Sequence, residues 1–162
     1  MHQHKVASLF GTTTAGEVRQ PADRSASSPA FRVGAKALVR SGDQVLLVRE
    51  RREDGSTFWT LPGGGVEPGE ALRDCLQREF LEELGCHVGV GQRIAICLYY
   101  HRTLPNTVTL YSVFRTTPAG NPEPNPEEGI VKCAWRSPWD PPPTTLDPIT
   151  RVLADLVPTG NR

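Results

Sequence analysis

The chain has 162 residues, with 18 Lys and Arg set against 18 Asp and Glu, so its formal net charge is +0. That length argues for one domain large enough to bury a sizeable core, and the balanced charge supplies no field for steering toward nucleic acid or an anionic membrane. The content of 38% hydrophobic and 22% charged residues is that of a soluble globular protein, and the longest apolar run, residues 94–100, is far too short to span a bilayer.

Residues 1–30 are small, polar and aperiodic, and read as a flexible tail ahead of a domain over residues 31–162. Residues 5–10 could add an edge strand. The first ten residues lack an apolar core, so no secretory signal is expected. Residues 35–40, a Ser-Gly-Asp turn and residues 44–50 predict two strands joined by a tight loop, with a third strand over 58–61. Gly63, Gly64 and Gly65, then Pro68 and Gly69, are incompatible with regular structure.

A helix is predicted over 71–84, with Leu72, Cys75, Leu76 and Phe80 on one face and Gly85 as its stop. Strands are predicted over 88–100, 107–116 and 130–135. Eight of the fifteen prolines fall between 118 and 143 and break that stretch into loops. A last helix opens with Asp147 as N-cap and Pro148 at the first helical position, burying Ile149, Val152, Leu153 and Leu156. Cys75, Cys86, Cys97 and Cys133 show no CxxC spacing, which suits reduced thiols in a cytoplasmic protein rather than a disulfide framework or zinc site.

On the first helix, Glu79, Glu82 and Glu83 stand at i, i+3 and i+4, so three carboxylates share one face. Like charges at this spacing repel, and they lie in the C-terminal half of the helix, where its dipole already disfavours negative charge. The arrangement makes sense with a bound cation, and hard oxygen donors without Cys or His suit Mg2+ or Mn2+. Mg2+ is usually shared with substrate phosphates, so a glycine turn beside an acidic helix suggests a phosphate-bearing substrate. There is no Lys-Ser or Lys-Thr to make the glycines a P-loop.

Gly64, Glu70, Arg78, Glu79, Phe80, Glu82, Glu83, Gly85 and Cys86 together resemble the Nudix box, G-x5-E-x7-R-E-U-x-E-E-x-G-U, where U is apolar. The resemblance implies an α/β fold, the Nudix-type α/β/α sandwich with a mixed sheet. It also implies Mg2+-dependent hydrolysis of a pyrophosphate bond in a nucleoside diphosphate derivative, such as a nucleotide, nucleotide sugar or ADP-ribose. By position, Glu82 and Glu83 are implied metal ligands and Glu79 a further ligand or the general base. The Gly63 carbonyl is an implied additional ligand, Arg78 a residue that orients the carboxylates, and Glu70 a support for the loop. Family members often carry a later metal-binding Glu, for which Glu127 and Glu128 are the candidates. Ala71 stands where many members have Ser or Thr, so a hydroxyl N-cap is missing.

For the substrate, Phe58, Trp59, Tyr99, Tyr100, Tyr111 and Trp139 are available to stack on a base, with most of them expected in the core. Arg49, Arg51 and Arg52 close the second strand and are candidate phosphate contacts. Arg102, Tyr100 and Pro105 do not match the positions that mark ADP-ribose or dinucleoside polyphosphate hydrolases in the family. The expected partner is a small-molecule nucleotide, with no nucleic acid or membrane; a homodimer remains open. The competing reading is a catalytically silent Nudix-like module that binds a nucleotide or partner, although such modules usually lose one of the box glutamates.

Overall fold

Strand β1 (Ala30–Ser41) runs antiparallel to β2 (Gln44–Arg51) only at its end, through Arg40↔Val45 and Ser41↔Gln44. The rest of β1 pairs in parallel with β5 (Thr107–Pro118), from Ala30↔Thr107 to Val39↔Thr116. A computed structural model describes residues 28–156 of the chain; the strand expected over residues 5–10 lies outside the described residues. The parallel partner explains why β1 begins at Ala30 rather than at 35: residues 30–34 gain their ladder from a distant strand, which local patterning does not reveal.

The remaining strands are β3 (Thr57–Thr60), β4 (Val88–Tyr100) and β6 (Ile130–Arg136). Their order is β3-β2-β1-β5-β4, with β6 on β2. This is a mixed six-stranded sheet. Helices α1 (Leu72–Leu84) and α2 (Asp147–Asp155) close its two faces. Alternation along β1 makes the two layers possible, since successive side chains point to opposite faces. Ala35, Ala37 and Val39 pack with Leu76, Phe80 and Leu84 of α1, whereas Leu38 packs with Ile149, Val152 and Leu153 of α2. Burying an aromatic such as Phe80 contributes roughly 2–3 kcal/mol.

Helix α1 starts without a side-chain cap at Ala71 and ends at Gly85, whose φ of 68° lets its N–H reach the Leu81 carbonyl at 2.9 Å. Leu72 is only partly buried. In α2 the cap residue is Leu146, not Asp147, and no side chain caps it. Asp147 and Pro148 sit inside the first turn because Leu146 is already committed to β3, its N–H donating to the Trp59 carbonyl at 3.0 Å. Leu156 is partly buried against the α2 core. Of the aromatic residues expected in the core, Phe58 and Trp59 are buried, while Tyr100 and Trp139 are exposed.

Ahead of Arg40 the two halves of the sheet diverge, and over residues 33–37 the proline–glycine segment runs beside β1 in place of β2. Ala37 N–H donates to the Pro62 carbonyl at 2.8 Å, Ala35 N–H to the Gly64 carbonyl at 3.0 Å, and Val66 N–H to the Val33 carbonyl at 2.9 Å. Gly63 has φ 121°, and a Cβ there would lie 2.2 Å from the Ala35 oxygen, so only glycine fits. The glycine strap is thereby held flat under α1. No helix among the described residues is long and apolar enough to cross a membrane.

Candidate active site

The strap and α1 meet at Arg78. Its guanidinium donates Nε and Nη2 to the two carboxylate oxygens of Glu70 at 2.8 and 3.0 Å, Nη1 to Glu79 Oε1 at 3.0 Å and to Glu82 Oε2 at 3.1 Å, and Nη2 to the Gly65 carbonyl at 3.1 Å. One planar fork therefore spaces three carboxylates and ties them to the strap. Glu70 also accepts the Glu67 N–H at 2.9 Å; the Arg78 hydrogen bonds, aided by this one, hold its carboxyl down at about 2. Gly64 keeps the cluster tight, because a Cβ there would lie 2.5 Å from the Glu79 carboxylate.

Glu83 is held by the strap rather than by Arg78. It is buried and accepts the Gly63 N–H at 2.8 Å, and burial pushes its carboxyl up to about 8. Burial likewise raises Glu79. Across Gly63, buried Lys36 donates Nζ to the Gly63 carbonyl at 2.5 Å. Burial opposes the Lys36 charge, yet the field of Tyr111, Glu83, Glu50 and Glu79 more than offsets this and raises its pKa. Lys36 went unnoticed in the sequence, where the available signal was a single cation inside the apolar run of residues 35–39.

The donor set fits a hard divalent cation in kind. All three carboxylates project from one helix, and Glu83 is a buried carboxylate that a dication would stabilise in its ionised form. Among the described residues no three acidic, His or Cys side chains are gathered at metal distance, because Glu79 and Glu82 are drawn onto Arg78 instead. The Gly63 oxygen expected as a ligand is already engaged by an ammonium. Glu127 and Glu128 lie on a short 3-10 turn, Pro126–Glu128. Asn125 docks this turn onto the end of α1, its N–H reaching the Glu83 carbonyl and its Nδ2 the Glu82 carbonyl, both at 2.9 Å. That ties the turn to the C-terminal end of α1 through Asn125, with both Glu side chains exposed.

Where the two halves of the sheet diverge, a cavity of about 270 Å³ opens against Lys36. Phe58, Thr60, Tyr99, Tyr111 and Glu50 line it. Arg51 and Arg52 reach this cavity, Arg52 lying 4.0 Å over the Phe58 ring. Arg49, also expected at phosphate, instead donates Nε to Thr57 Oγ1 at 2.9 Å and does not line the cavity. A wider cleft of about 990 Å³ toward α2 shares Arg52, Phe58 and Tyr99 with it.

The Glu83 shift has a sign that can be checked. Its folded-state pKa, about 8, exceeds the ordinary carboxylate value of about 4.3, so the folded chain binds this proton more tightly than the unfolded one. Stability from this group is complete below that ordinary value and is lost as pH rises through about 8. In chelator, the melting temperature relative to Glu83→Gln is expected to fall between about pH 5 and pH 8. A parallel pair of profiles would contradict the burial of an ionisable Glu83.

A glycine strap that presents a glutamate-bearing helix against a split mixed sheet defines a recognisable class of domain. The family model for the NUDIX domain matches residues 30–157, and the chain belongs to that family. It is 32% identical over 126 residues to the nucleoside triphosphatase NudI of Escherichia fergusonii, covering 70% of this chain and 88% of that protein. It is 40% identical over 63 residues to the CTP pyrophosphohydrolase of Escherichia coli K12, covering 39% of this chain and 47% of that protein. A 45-residue match, 47% identical, to human 8-oxo-dGDP phosphatase NUDT18 covers 28% of this chain and 14% of the relative. These last two matches thus span less than half of the relatives' lengths. The MutT NUDIX hydrolase structure from Burkholderia pseudomallei superposes with a TM-score of 0.68 at 21% identity, over 78% of this chain and 98% of that one, which shows the shared fold.

Proposed function

We propose that the protein is a Mg2+- or Mn2+-dependent pyrophosphohydrolase acting on a nucleoside diphosphate derivative, held by a domain over residues 31–162 with residues 1–30 as a tail. The observation that carries this reading is the continuity of cavity and carboxylates: Lys36 lines the cavity and bonds the Gly63 carbonyl, whose own N–H bonds Glu83. A nucleoside seated in the cavity would place its phosphates at the acidic face of α1.

Glu79, Glu82 and Glu83 would hold the cation. When bound, it would neutralise charge developing on the phosphate oxygens and lower the pKa of the attacking water. The chain's own residues do the rest. Arg78 fixes the spacing of Glu79 and Glu82, and can release either oxygen while keeping its two bonds to Glu70. Glu79, whose Oε1 is held by Arg78, offers Oε2 as the proton acceptor, and burial, by raising its pKa, makes it a stronger base than an exposed carboxylate. Arg51 and Arg52 line the cavity and would meet a phosphate there. Transfer at phosphorus relies on positioning and electrostatics, so no Ser or Cys nucleophile is required. The Gly63 carbonyl and Glu128 are secondary candidates, the first occupied by Lys36 and the second exposed.

The NudI, CTP pyrophosphohydrolase and 8-oxo-dGDP phosphatase relatives support a nucleotide substrate. The test is a panel of ADP-ribose, NADH, nucleotide sugars, Ap4A and nucleoside triphosphates, including oxidised dGTP, with Mg2+ and with chelator, products being read by phosphorus NMR. Cleavage of at least one compound that chelator abolishes is expected. No cleavage of any would leave the silent binding module in its place.

A further inference from the structure

The floor of the 270 Å³ cavity holds two buried polar groups whose bonding is incomplete. Lys36, 4% exposed, has three N–H donors. Among the described residues it makes one hydrogen bond, to the Gly63 carbonyl. Thr60 is 0% exposed, and its Oγ1 has no hydrogen-bond partner among the described residues. Both side chains line the same cavity. Buried donors are nearly always satisfied in folded proteins, so two deficits facing one space indicate a ligand atom that completes both.

The walls narrow the choice of ligand. Phe58, Tyr99 and Tyr111 give the cavity aromatic sides, suited to a flat π-system. Tyr99 is braced by an edge contact to His101 at 4.6 Å, and His101 in turn shares a 2.7 Å hydrogen bond with Thr109. Glu50 is the one carboxylate acceptor of this cavity whose charge acts on Lys36. The floor is therefore rich in donors, with an acceptor beside them.

We infer that the cavity seats a nucleobase bearing a carbonyl oxygen next to a ring N–H, as in guanine, hypoxanthine or uracil, and discriminates against adenine. A carbonyl oxygen has two lone pairs and accepts from Lys36 and Thr60 together, while the adjacent N–H donates to Glu50. An adenine ring nitrogen has a single in-plane lone pair, so it leaves one of the two floor donors buried and unpaired. A site built to hydrogen-bond one group rejects an analogue lacking it far more strongly than a greasy pocket rejects a missing methylene. Lysine donating to the oxygen-bearing edge of guanine is a familiar pairing in nucleic-acid recognition. This inference rests on the hydrolase reading only for the identity of the ligand as a nucleotide.

The test is calorimetric titration of the full chain in chelator with GMP, UMP and AMP, which separates base recognition from turnover. The tighter of GMP and UMP is expected to bind at least about tenfold more tightly than AMP. Thr60→Val, nearly isosteric, and Lys36→Met are each expected to bring that ratio toward unity. AMP binding as tightly as both others, no binding by any of the three, or a ratio untouched in Thr60→Val would overturn the inference. Retained preference without Mg2+-dependent hydrolysis of any compound of the substrate panel would instead overturn the hydrolase reading and leave base selection standing. Hydrolysis of ATP as efficiently as GTP and UTP, with equal monophosphate binding, would do the reverse.

Discussion

Glu82→Gln and Glu83→Gln are each expected to lower the proposed Mg2+-dependent turnover by at least about a hundredfold, the scale on which removal of a single electrostatic stabiliser is felt, while the protein remains folded. The two substitutions test different parts of the same face. Glu82 is an exposed residue whose side chain, among the described residues, is hydrogen-bonded to Arg78 alone, at 3.1 Å, so its replacement is expected to change stability by no more than about 0.5 kcal/mol. Glu83 is buried, and the glutamine carbonyl can still accept the Gly63 N–H that the carboxylate accepts at 2.8 Å. What each variant loses is a negative charge in a place where a dication needs it. Phosphate release, Mn2+ binding followed by electron paramagnetic resonance, and the melting temperature are to be read together. Loss of Mn2+ binding and turnover with a cooperative melt is the expected pattern. Wild-type phosphate release by either variant would remove that carboxylate from the metal assignment.

The box from Gly64 to Cys86 was legible because its chemistry is local: a helix period, a glycine stop and carboxylates at i, i+3 and i+4 need no tertiary information. The same holds for α1, whose predicted buried positions Cys75, Leu76 and Phe80 are buried, and for β4, whose limits of 88 and 100 match. What escaped notice depends on distant partners. The start of β1 is set by its parallel pairing with β5, and the true cap of α2 by the bond from Leu146 to Trp59. Lys36 and Thr60 read as ordinary strand residues, and acquire meaning only because β1 pairs with β2 from Arg40 onward alone, which leaves a cavity where the strands are parted ahead of that point. Arg49 shows the opposite error. A cation near the box looks like a phosphate ligand, but side chains alternate along a strand, and Arg49 turns to Thr57 while its out-of-phase neighbours Glu50 and Arg52 line the cavity. The zero net charge follows the same logic, since residues 64–86 carry six carboxylates against Arg73 and Arg78 alone.

Arg78→Lys is expected to lower kcat about 10- to 100-fold, the usual effect of losing a residue that orients metal ligands, with a smaller change in KM. Charge alone does not explain the role of Arg78, because lysine keeps the charge. The guanidinium makes five hydrogen bonds to oxygen, two to Glu70 and one each to Glu79, Glu82 and the Gly65 carbonyl. An ammonium has three donors and no fixed fork, so it cannot brace Glu70 with two bonds and also reach Glu79, Glu82 and the strap. Glu70 is then expected to rise from about 2 toward the ordinary carboxylate range, and the strap loses its tie to α1 through Gly65. The Lys variant is therefore predicted to bind Mn2+ more weakly, with Glu79 and Glu82 no longer held at a common spacing, while nucleoside monophosphate binding in the cavity is largely retained because Arg78 does not line it. The division between kcat and KM distinguishes this positioning role from direct contact with substrate: a rise in KM at unchanged kcat would move Arg78 to the phosphates, and wild-type values for both would show that a point charge suffices.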